Sequence, residues 1–183
     1  MELLTALGLS IPAGLNAYIP LLAVALAERF GWLQLHEPFG VLGEWWMIAI
    51  IAVLLIVEMI ADKVPAVDSV NDAIQSVVRP AAGGIVAVAA AGSATSVSPW
   101  LIVLAGVILA GGVHAVKATT RPAVNAMTAG TGAPVVSAAE DAGAVVLSAT
   151  AIAAPVIVAF LAAGFLYVLW WLWGRYPEGS GGA

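Results

Sequence analysis

The chain has 183 residues and a net charge of −5, with 62% hydrophobic residues and only 9% charged residues. A soluble domain averages about 25% charged residues, so this composition excludes an ordinary soluble protein and predicts an integral membrane protein. The lack of cysteine excludes disulfides, thiolate metal sites and thiol nucleophiles, and the six scattered basic residues predict no nucleic-acid partner.

The first membrane span is predicted from about Leu4 to Leu26. It should be retained in the mature protein, because the N-terminus lacks the positive region of a signal peptide. Its glycine and proline residues predict a kink or a broken helix. Asn16 and Tyr18 sit among apolar residues and need hydrogen-bond partners in lipid. They either line a pore or site, or they bond neighbouring helices together.

The second span is predicted over Trp45–Ala61, with its tryptophans as anchors at the membrane interface. Glu58 and Asp62 lie four residues apart, so they share one face of this helix. A charge inside a span is costly, and Glu58 should therefore find a partner such as Lys63 or Lys117. Glu58 is then either a proton or cation site, or one half of a structural ion pair.

The third span is predicted from Arg79 to about Ser93, after a polar loop over 62–79 that carries Asp68. A proline follows Arg79, so the chain should break there and the proline should occupy the first turn of a new helix. The guanidinium of Arg79 suits a carboxylate that accepts two hydrogen bonds. Glu140 and Asp68 are the expected partners.

The fourth span is predicted over residues 100–116 and is followed by a second polar loop over 117–136. His114 and Lys117 are three residues apart and share a helix face. His114 either binds a metal or relays a proton, or it hydrogen-bonds a neighbouring helix. The chain has no HExxH motif, and no second histidine lies near, so no metal site and no cofactor are predicted.

The fifth span is predicted to start near Ser137 and to reach Trp173. Roughly 37 residues make a helix of about 55 Å, whereas the hydrocarbon core is about 30 Å thick. This helix must therefore tilt, protrude or kink at Pro155. Ser137 and Glu140 have the spacing of a capping box, which would satisfy free N–H groups at the helix start.

Five spans predict one transmembrane helical domain over 1–175, followed by a flexible tail over 176–183. The N-terminus and the loops over 62–79 and 117–136 then lie on one side of the membrane. That side carries four of the six basic residues, so the positive-inside rule predicts that it is cytoplasmic. The Gly- and Ala-rich spans can pack closely, which favours a homo-oligomer.

A weak internal repeat relates about 45–95 to 100–160. The segment "KVPAVD" at 63–68 matches "TRPAVN" at 120–125, which places Asp68 on Asn125. Further along, "SVVRPAAGG" at 76–84 aligns with "SAAEDAGAV" at 137–145. Internal repeats are frequent in transporters and channels, where the site lies between the repeats.

Polar residues from all five predicted spans converge on one side of the membrane, where several helix ends would meet. The odd-numbered spans begin there and the even-numbered spans end there, so dipoles and charges gather together. This convergence defines the candidate site for transport or ligand binding: Asn16, Tyr18, Glu58, Asp62, Lys63, Asp68, Arg79, His114, Lys117, Arg121, Asn125, Glu140 and Asp141.

Three segments carry a family resemblance: "GLSIPAGLNAYIPLL", "ADKVPAVDSVNDAIQSVVRPAAGG" and "KATTRPAVN…SAAEDAGAV". Together they resemble the DUF4126 family of bacterial membrane proteins, in its actinobacterial form. The match covers nearly the whole chain, and the middle segment is the most specific. The resemblance implies a small multi-pass protein of the bacterial inner membrane and carries no particular activity with it.

Three functions are compatible with these features. The first is a small channel or transporter for an ion or small solute, gated by the converging charges. The second is an accessory or scaffolding subunit of a larger membrane complex, whose charges would be structural or would face other membrane subunits. The third is a membrane-embedded enzyme acting on a lipid, which acid–base pairs at an interface would allow. No nucleophile motif supports the third, so an enzyme is not expected.

Overall fold

The computed structural model describes residues 1–62, 65–92, 96–129 and 131–158, together with residues 160, 163, 164, 167 and 171. At 65–69 and 72 it describes the backbone alone. The predictions for Lys63, for the side chain of Asp68, for the end of the fifth span near Trp173 and for the tail at 176–183 lie outside the described residues.

The described part of the chain is all-α, as predicted, with six α-helices and one short 3-10 helix at Phe39–Gly43. Three helices are long and apolar enough to cross a membrane: Ala73–Ala90 within a longer helix, Pro99–Thr128 and Ala133–Ala153. These helices indicate a multi-pass membrane protein. In chain order the α-helices are α1 (Glu2–Ala13), α2 (Tyr18–Arg29), α3 (Trp45–Ala61), α4 (Pro65–Ala90), α5 (Pro99–Thr128) and α6 (Ala133–Ala153).

The helices expose apolar side chains and bury charged ones, which is the reverse of a soluble protein. On α3, Val53, Ile56 and Val57 are 57–59% exposed, whereas Glu58 is 1% exposed. On α4, Val77 is 73% exposed and Arg79 is fully buried. Lipid tails accept aliphatic side chains, but a charge in lipid needs a partner inside the bundle. This arrangement therefore suits a hydrocarbon surrounding.

The predicted break in the first span is present between α1 and α2. Pro12 lies in the last turn of α1, and the amides of Leu15 and Asn16 both donate to its carbonyl. The side chain of Asn16 then caps α2, since its Oδ1 accepts the backbone N–H groups of Tyr18 at 3.0 Å and Ile19 at 3.1 Å. Asparagine at a helix start commonly satisfies free amides in this way.

The predicted polar loop over 62–79 is wrong, because α4 already begins at Pro65 and Pro80 lies inside it. The start of a helix at Arg79 is wrong for the same reason. Asn71, Gln75 and Arg79 recur every four residues on α4, and such residues share one helix face. That face turns inward while the apolar residues face outward. The polar residues of this segment therefore belong to a helix and not to a loop.

The second predicted loop, over 117–136, is also mostly helical, because α5 extends to Thr128 and includes Pro122. The two segments matched in the weak repeat therefore occupy unlike places. Pro65 begins α4, whereas its counterpart Pro122 lies inside α5. The described structure gives the repeat no support at this pair of segments.

The predicted start of α6 is wrong, whereas the kink, one of three alternatives predicted for the long fifth span, is found. The capping box is wrong, because α6 starts at Ala133 and Ser137 lies fully buried inside the helix. The predicted kink is found, because α6 ends at Ala153 and Ala154 leaves helical geometry immediately before Pro155. A proline disfavours the helical conformation of the residue before it, which accounts for this end.

Glycines let α4 and α5 approach closely. A Cβ added at Gly106 would meet the carbonyl oxygen of Gly83 and would lie 2.8 Å from the Cβ of Ala87. The same stretch of α4 contacts α1, where the hydroxyl of Ser10 donates to the carbonyl of Gly83 at 3.1 Å. Small residues at such a crossing replace the hydrophobic driving force that helices lack in lipid.

Gly106→Ala should weaken this crossing, because the new methyl group has no room between the two backbones. We expect a destabilisation of about 1–3 kcal/mol, observed as a lower melting temperature of the purified protein in detergent. Gly112→Ala is the matched control, since a Cβ at that position on the same helix meets nothing within 4 Å. Equal melting temperatures for the two variants would contradict the proposed crossing.

Candidate functional site

Six buried or nearly buried charged side chains meet inside the bundle, and we call them the charge cluster. Three are acidic and three are basic, so the cluster is electrically balanced. They come from four consecutive helices, with Asp62 on the C-cap of α3. Buried charges are tolerated when they are paired and hydrogen-bonded, as these are. The members are Glu58, Asp62, Arg79, Lys117, Arg121 and Glu140.

Among the described residues, Asp62 has four hydrogen-bond partners. Its Oδ2 accepts from Lys117 Nζ at 3.1 Å, from Arg121 Nη2 at 3.3 Å and from Arg79 Nη2 at 3.4 Å. Its Oδ1 accepts from the side-chain amide of Asn71 at 2.6 Å. One carboxylate therefore ties the end of α3 to both α4 and α5.

Glu140 extends the cluster to α6. Its Oε2 lies 2.9 Å from Lys117 Nζ and 3.0 Å from Arg121 Nη2. The same two cations thus serve both Asp62 and Glu140. Glu140 is the most accessible member, with 15% of its side chain exposed, whereas Lys117 is 1% exposed. The cluster accordingly has a buried end and an end nearer the surface.

Glu58 pairs with Arg79 through only one of its two oxygens. Its Oε1 accepts from Arg79 Nε at 3.3 Å and from Arg79 Nη2 at 3.0 Å. Its Oε2 is buried and makes no hydrogen bond among the described residues. A buried carboxylate oxygen without a partner is energetically costly and calls for a specific explanation.

His114 lies against Arg79 on the other side. Arg79 Nη1 is 3.1 Å from His114 Nδ1, and His114 Nε2 is 3.1 Å from the hydroxyl of Ser76. An arginine N–H can only donate, so Nδ1 must accept and the imidazole proton must sit on Nε2. This geometry requires the neutral imidazole, because a charged imidazole would direct a second donor at the guanidinium.

The break between α1 and α2 is tied to the same group of side chains. Lys117 Nζ donates to the carbonyl oxygen of Leu15 at 2.9 Å. Asn16 Nδ2 donates to Asp141 Oδ1 on α6 at 3.0 Å, while its own Oδ1 caps α2. The free carbonyl end of one half-helix and the amide end of the other are therefore both satisfied by polar side chains of the interior.

The structure brings together nine of the thirteen predicted site residues. The cluster and its contacts include Asn16, Glu58, Asp62, Arg79, His114, Lys117, Arg121, Glu140 and Asp141. Lys63 and the side chain of Asp68 are outside the described residues. Tyr18 donates its backbone amide to Asn16 and lies near Glu58, whereas Asn125 makes no side-chain hydrogen bond among the described residues.

The predicted surroundings of Arg79 and the predicted location of the cluster differ in part from the structure. Among the described residues Arg79 pairs with Glu58 and Asp62, whereas Glu140 pairs with Lys117 and Arg121. The other expected partner, Asp68, stays a prediction because its side chain lies outside the described residues. The cluster also does not form where helix ends meet, because Arg79 and Lys117 lie well inside α4 and α5. These buried, paired cations are poor evidence for the positive-inside rule, so they do not support the predicted orientation.

Sequence reasoning missed three polar residues of α4 that belong to the surroundings of the cluster. Asn71 bonds Asp62, Ser76 bonds His114, and Gln75 is 3% exposed with its Oε1 unbonded among the described residues. Their four-residue spacing from Arg79 was the available signal for Asn71 and Gln75. The predicted loop over 62–79 conceals this spacing, because such spacing has meaning only within a helix.

An apolar cavity of about 430 Å³ lies between α2, α3 and α6. Its walls are aliphatic apart from Trp32 and the buried hydroxyl of Ser148. A cavity with such walls suits hydrocarbon better than a polar solute. Its aliphatic lining includes Leu22 and Leu26 of α2, Leu55 of α3, and Val145 and Ile152 of α6.

The fold and the site together define a multi-pass helical membrane protein with a balanced charge cluster at its centre. The chain belongs to the family described as "Domain of unknown function (DUF4126)", which it matches over residues 3–175. The resemblance inferred from the three sequence segments is thereby confirmed. Comparison with curated proteins and with solved structures finds no match.

Asp62→Asn should destabilise the protein strongly, because the substitution removes the carboxylate charge that three cations share. Removing one partner of a buried ion pair typically costs about 3–5 kcal/mol, and we expect a correspondingly large drop in melting temperature in detergent. Glu44→Gln is the matched control, since Glu44 is exposed on the N-cap of α3. A drop no larger than that of the control would show that the cluster does not stabilise the fold.

Proposed function

We propose that this protein is a channel or transporter for an ion or small solute in the bacterial inner membrane, and that the charge cluster is its closed gate. The observation that carries the proposal is the broken helix formed by α1 and α2. Its two free ends contact Lys117 and, through Asn16, Asp141. Secondary transporters commonly build their sites from discontinuous helices of this kind.

A helix break inside a membrane exposes backbone groups that must find other partners. Here the carbonyl of Leu15 depends on Lys117, which is also held by Asp62 and Glu140. Any movement of Lys117 would free this carbonyl oxygen and remove one cation from each of two carboxylates, which Arg121 would still hold. An ion or a polar solute could then replace the ammonium group, which is the physical basis of the proposed gate.

Stability alone is a weak reason for keeping such a cluster. Buried ion pairs are often no more stable than apolar residues of similar volume, because both charges must be removed from water. Ionisable residues within membrane segments commonly mark ion or substrate pathways. Arg79 and Lys117 lie within helices that have the length and composition of membrane spans.

The proposal includes five crossings, with α1 and α2 forming one broken crossing and α3 to α6 one each. It also includes a homo-oligomer, because five slender helices enclose little volume for a pathway. Exposed aliphatic residues on α3 and α5 would contact lipid or a second copy. The buried cations do not indicate on which side of the membrane the N-terminus lies.

A second candidate is an accessory subunit of a larger membrane complex. The observation that favours it is the pairing of the cations: Lys117 contacts two carboxylates and a backbone carbonyl. A cluster that serves only to fix helix positions would have the same appearance. In that case the protein should co-purify with other membrane subunits in a fixed ratio.

The direct test is flux through liposomes that contain the purified protein. Fluorescent reporters would follow H⁺, Na⁺, K⁺ and Cl⁻, and light scattering would follow swelling by small polar solutes. We expect the wild type to pass at least one of these probes and Arg79→Gln to reduce that flux to the level of empty liposomes. The reason is that the proposed opening needs Arg79 to exchange its charged contacts among Glu58, Asp62 and His114, and a neutral glutamine cannot make that exchange.

Arg29→Gln is the matched control, because Arg29 is exposed and lies over the ring of Trp45 outside the cluster. It should retain wild-type flux. Both variants would be checked by gel filtration, so that misfolding is not mistaken for closure. A folded wild type that passes none of the probes would contradict transport and favour the accessory subunit.

A further inference from the structure

The unbonded oxygen of Glu58 is buried, and this distinguishes the residue from the other acids of the cluster. We propose that Glu58 is the group in the cluster that binds and releases a proton, so that the proposed transport is coupled to the proton. This inference rests on the proposed function for its physiological role. Proton binding itself follows from the local geometry and can be measured without transport.

The other two acids of the cluster are held by more cations than Glu58. Asp62 uses both oxygens, one for three cations and one for Asn71 at 2.6 Å. Glu140 accepts two cations at 2.9 and 3.0 Å through Oε2, and its side chain is 15% exposed. Protonation of either acid would weaken several strong, charge-assisted hydrogen bonds. Glu58 binds one cation only, and it does so through Oε1.

His114 is excluded by its contact with Arg79. The guanidinium points an N–H group at Nδ1, which leaves that nitrogen no lone pair for a proton. A proton could reach Nδ1 only after Arg79 had moved away. Glu58 needs no such movement, because Oε2 already has a free acceptor site.

The other charged and titratable groups around Glu58 come from three helices and from its own. Arg79 on α4 and Lys117 on α5 favour its charged form, whereas Asp62 on α3 favours the neutral form. Tyr18 on α2 lies close enough to respond to its charge. Burial opposes the charged form, and Arg79 is the one cation that bonds Glu58 directly among the described residues.

Protonation would proceed by a simple transfer. A hydronium ion gives up one O–H bond as a new O–H bond forms at Oε2, so the carboxylate becomes a neutral carboxylic acid and a water molecule is left. The charge-assisted contact with Arg79 then becomes a weaker one. Arg79 still has Asp62 and His114 as partners at 3.4 and 3.1 Å. The guanidinium can therefore turn towards them, which would release Glu58 from α4 while Asp62 still ties the end of α3 to Arg79.

A proton fits this place better than a metal ion. Among the described residues, no group of three or more His, Asp or Glu side chains could hold a metal ion. Hard cations such as Ca²⁺ require about six to eight oxygen ligands. One free carboxylate oxygen provides a suitable acceptor for a single proton and too few ligands for such an ion.

The test is infrared spectroscopy of the full-length protein as the pH is lowered, in detergent or lipid nanodiscs. A buried carboxyl that takes up a proton gives a carboxylic C=O band distinct from those of acids in water. We expect this band in the wild type and in Glu44→Gln, and its loss in Glu58→Gln. Glutamine resembles protonated glutamate in shape and keeps an acceptor for Arg79, so this variant should fold.

Glu58→Asp is the second variant, because it restores a carboxyl and should restore the band. The inference would be overturned by a wild type without the band, or by a band that persists in Glu58→Gln. In liposomes, the flux of the wild type should respond to an imposed pH gradient, and that of Glu58→Gln should not. A band without any flux would contradict the transport proposal and support the proton site. Flux without the band would support transport and contradict the proton site.

Discussion

The carboxylate of Asp62 is the contact on which the arrangement of the helices depends. It fixes the end of α3 to Arg79 on α4 and to Lys117 and Arg121 on α5. The two cations of α5 also bind Glu140 on α6, and Lys117 reaches the break between α1 and α2. The carboxylate of Asp62 is therefore linked directly to α4 and α5, and to α6 through one intervening cation.

Such a polar centre has a particular value in a membrane. Apolar faces give helices no reason to choose each other over lipid, so close packing and polar contacts must specify the partner and its register. The two devices are combined here, since Gly83 and Gly106 bring α4 and α5 together while Arg79 of α4 and Lys117 of α5 both bind Asp62. Shifting one helix along the other would separate the charges as well as the glycines.

The sequence predicted the helical class, the break near Asn16 and the end of a helix before Pro155, because each depends on local chemistry. It also identified most residues of the charge cluster, since charged groups in an apolar chain are few. It failed on the limits of α4 and α5, where Arg79 and Lys117 were assigned to loops or ends. A charge can lie inside a span when it has a partner, and the partner of Arg79 on α3 is 21 residues away. Such pairing depends on how the helices pack against each other, and the local sequence pattern does not contain that information.

A fully paired charge cluster must be stable enough to hold the bundle and still able to rearrange, if it is to serve as a gate. Arg79 satisfies both requirements, because its guanidinium has acceptors on Glu58, Asp62 and His114 at once. Loss of any single acceptor leaves the charge with two others, so a change at Glu58 need not expose a bare cation to lipid. An exchange of partners costs far less than the separation of a buried pair. The redundancy of partners around Arg79 is thus the feature that would let a rigid cluster move.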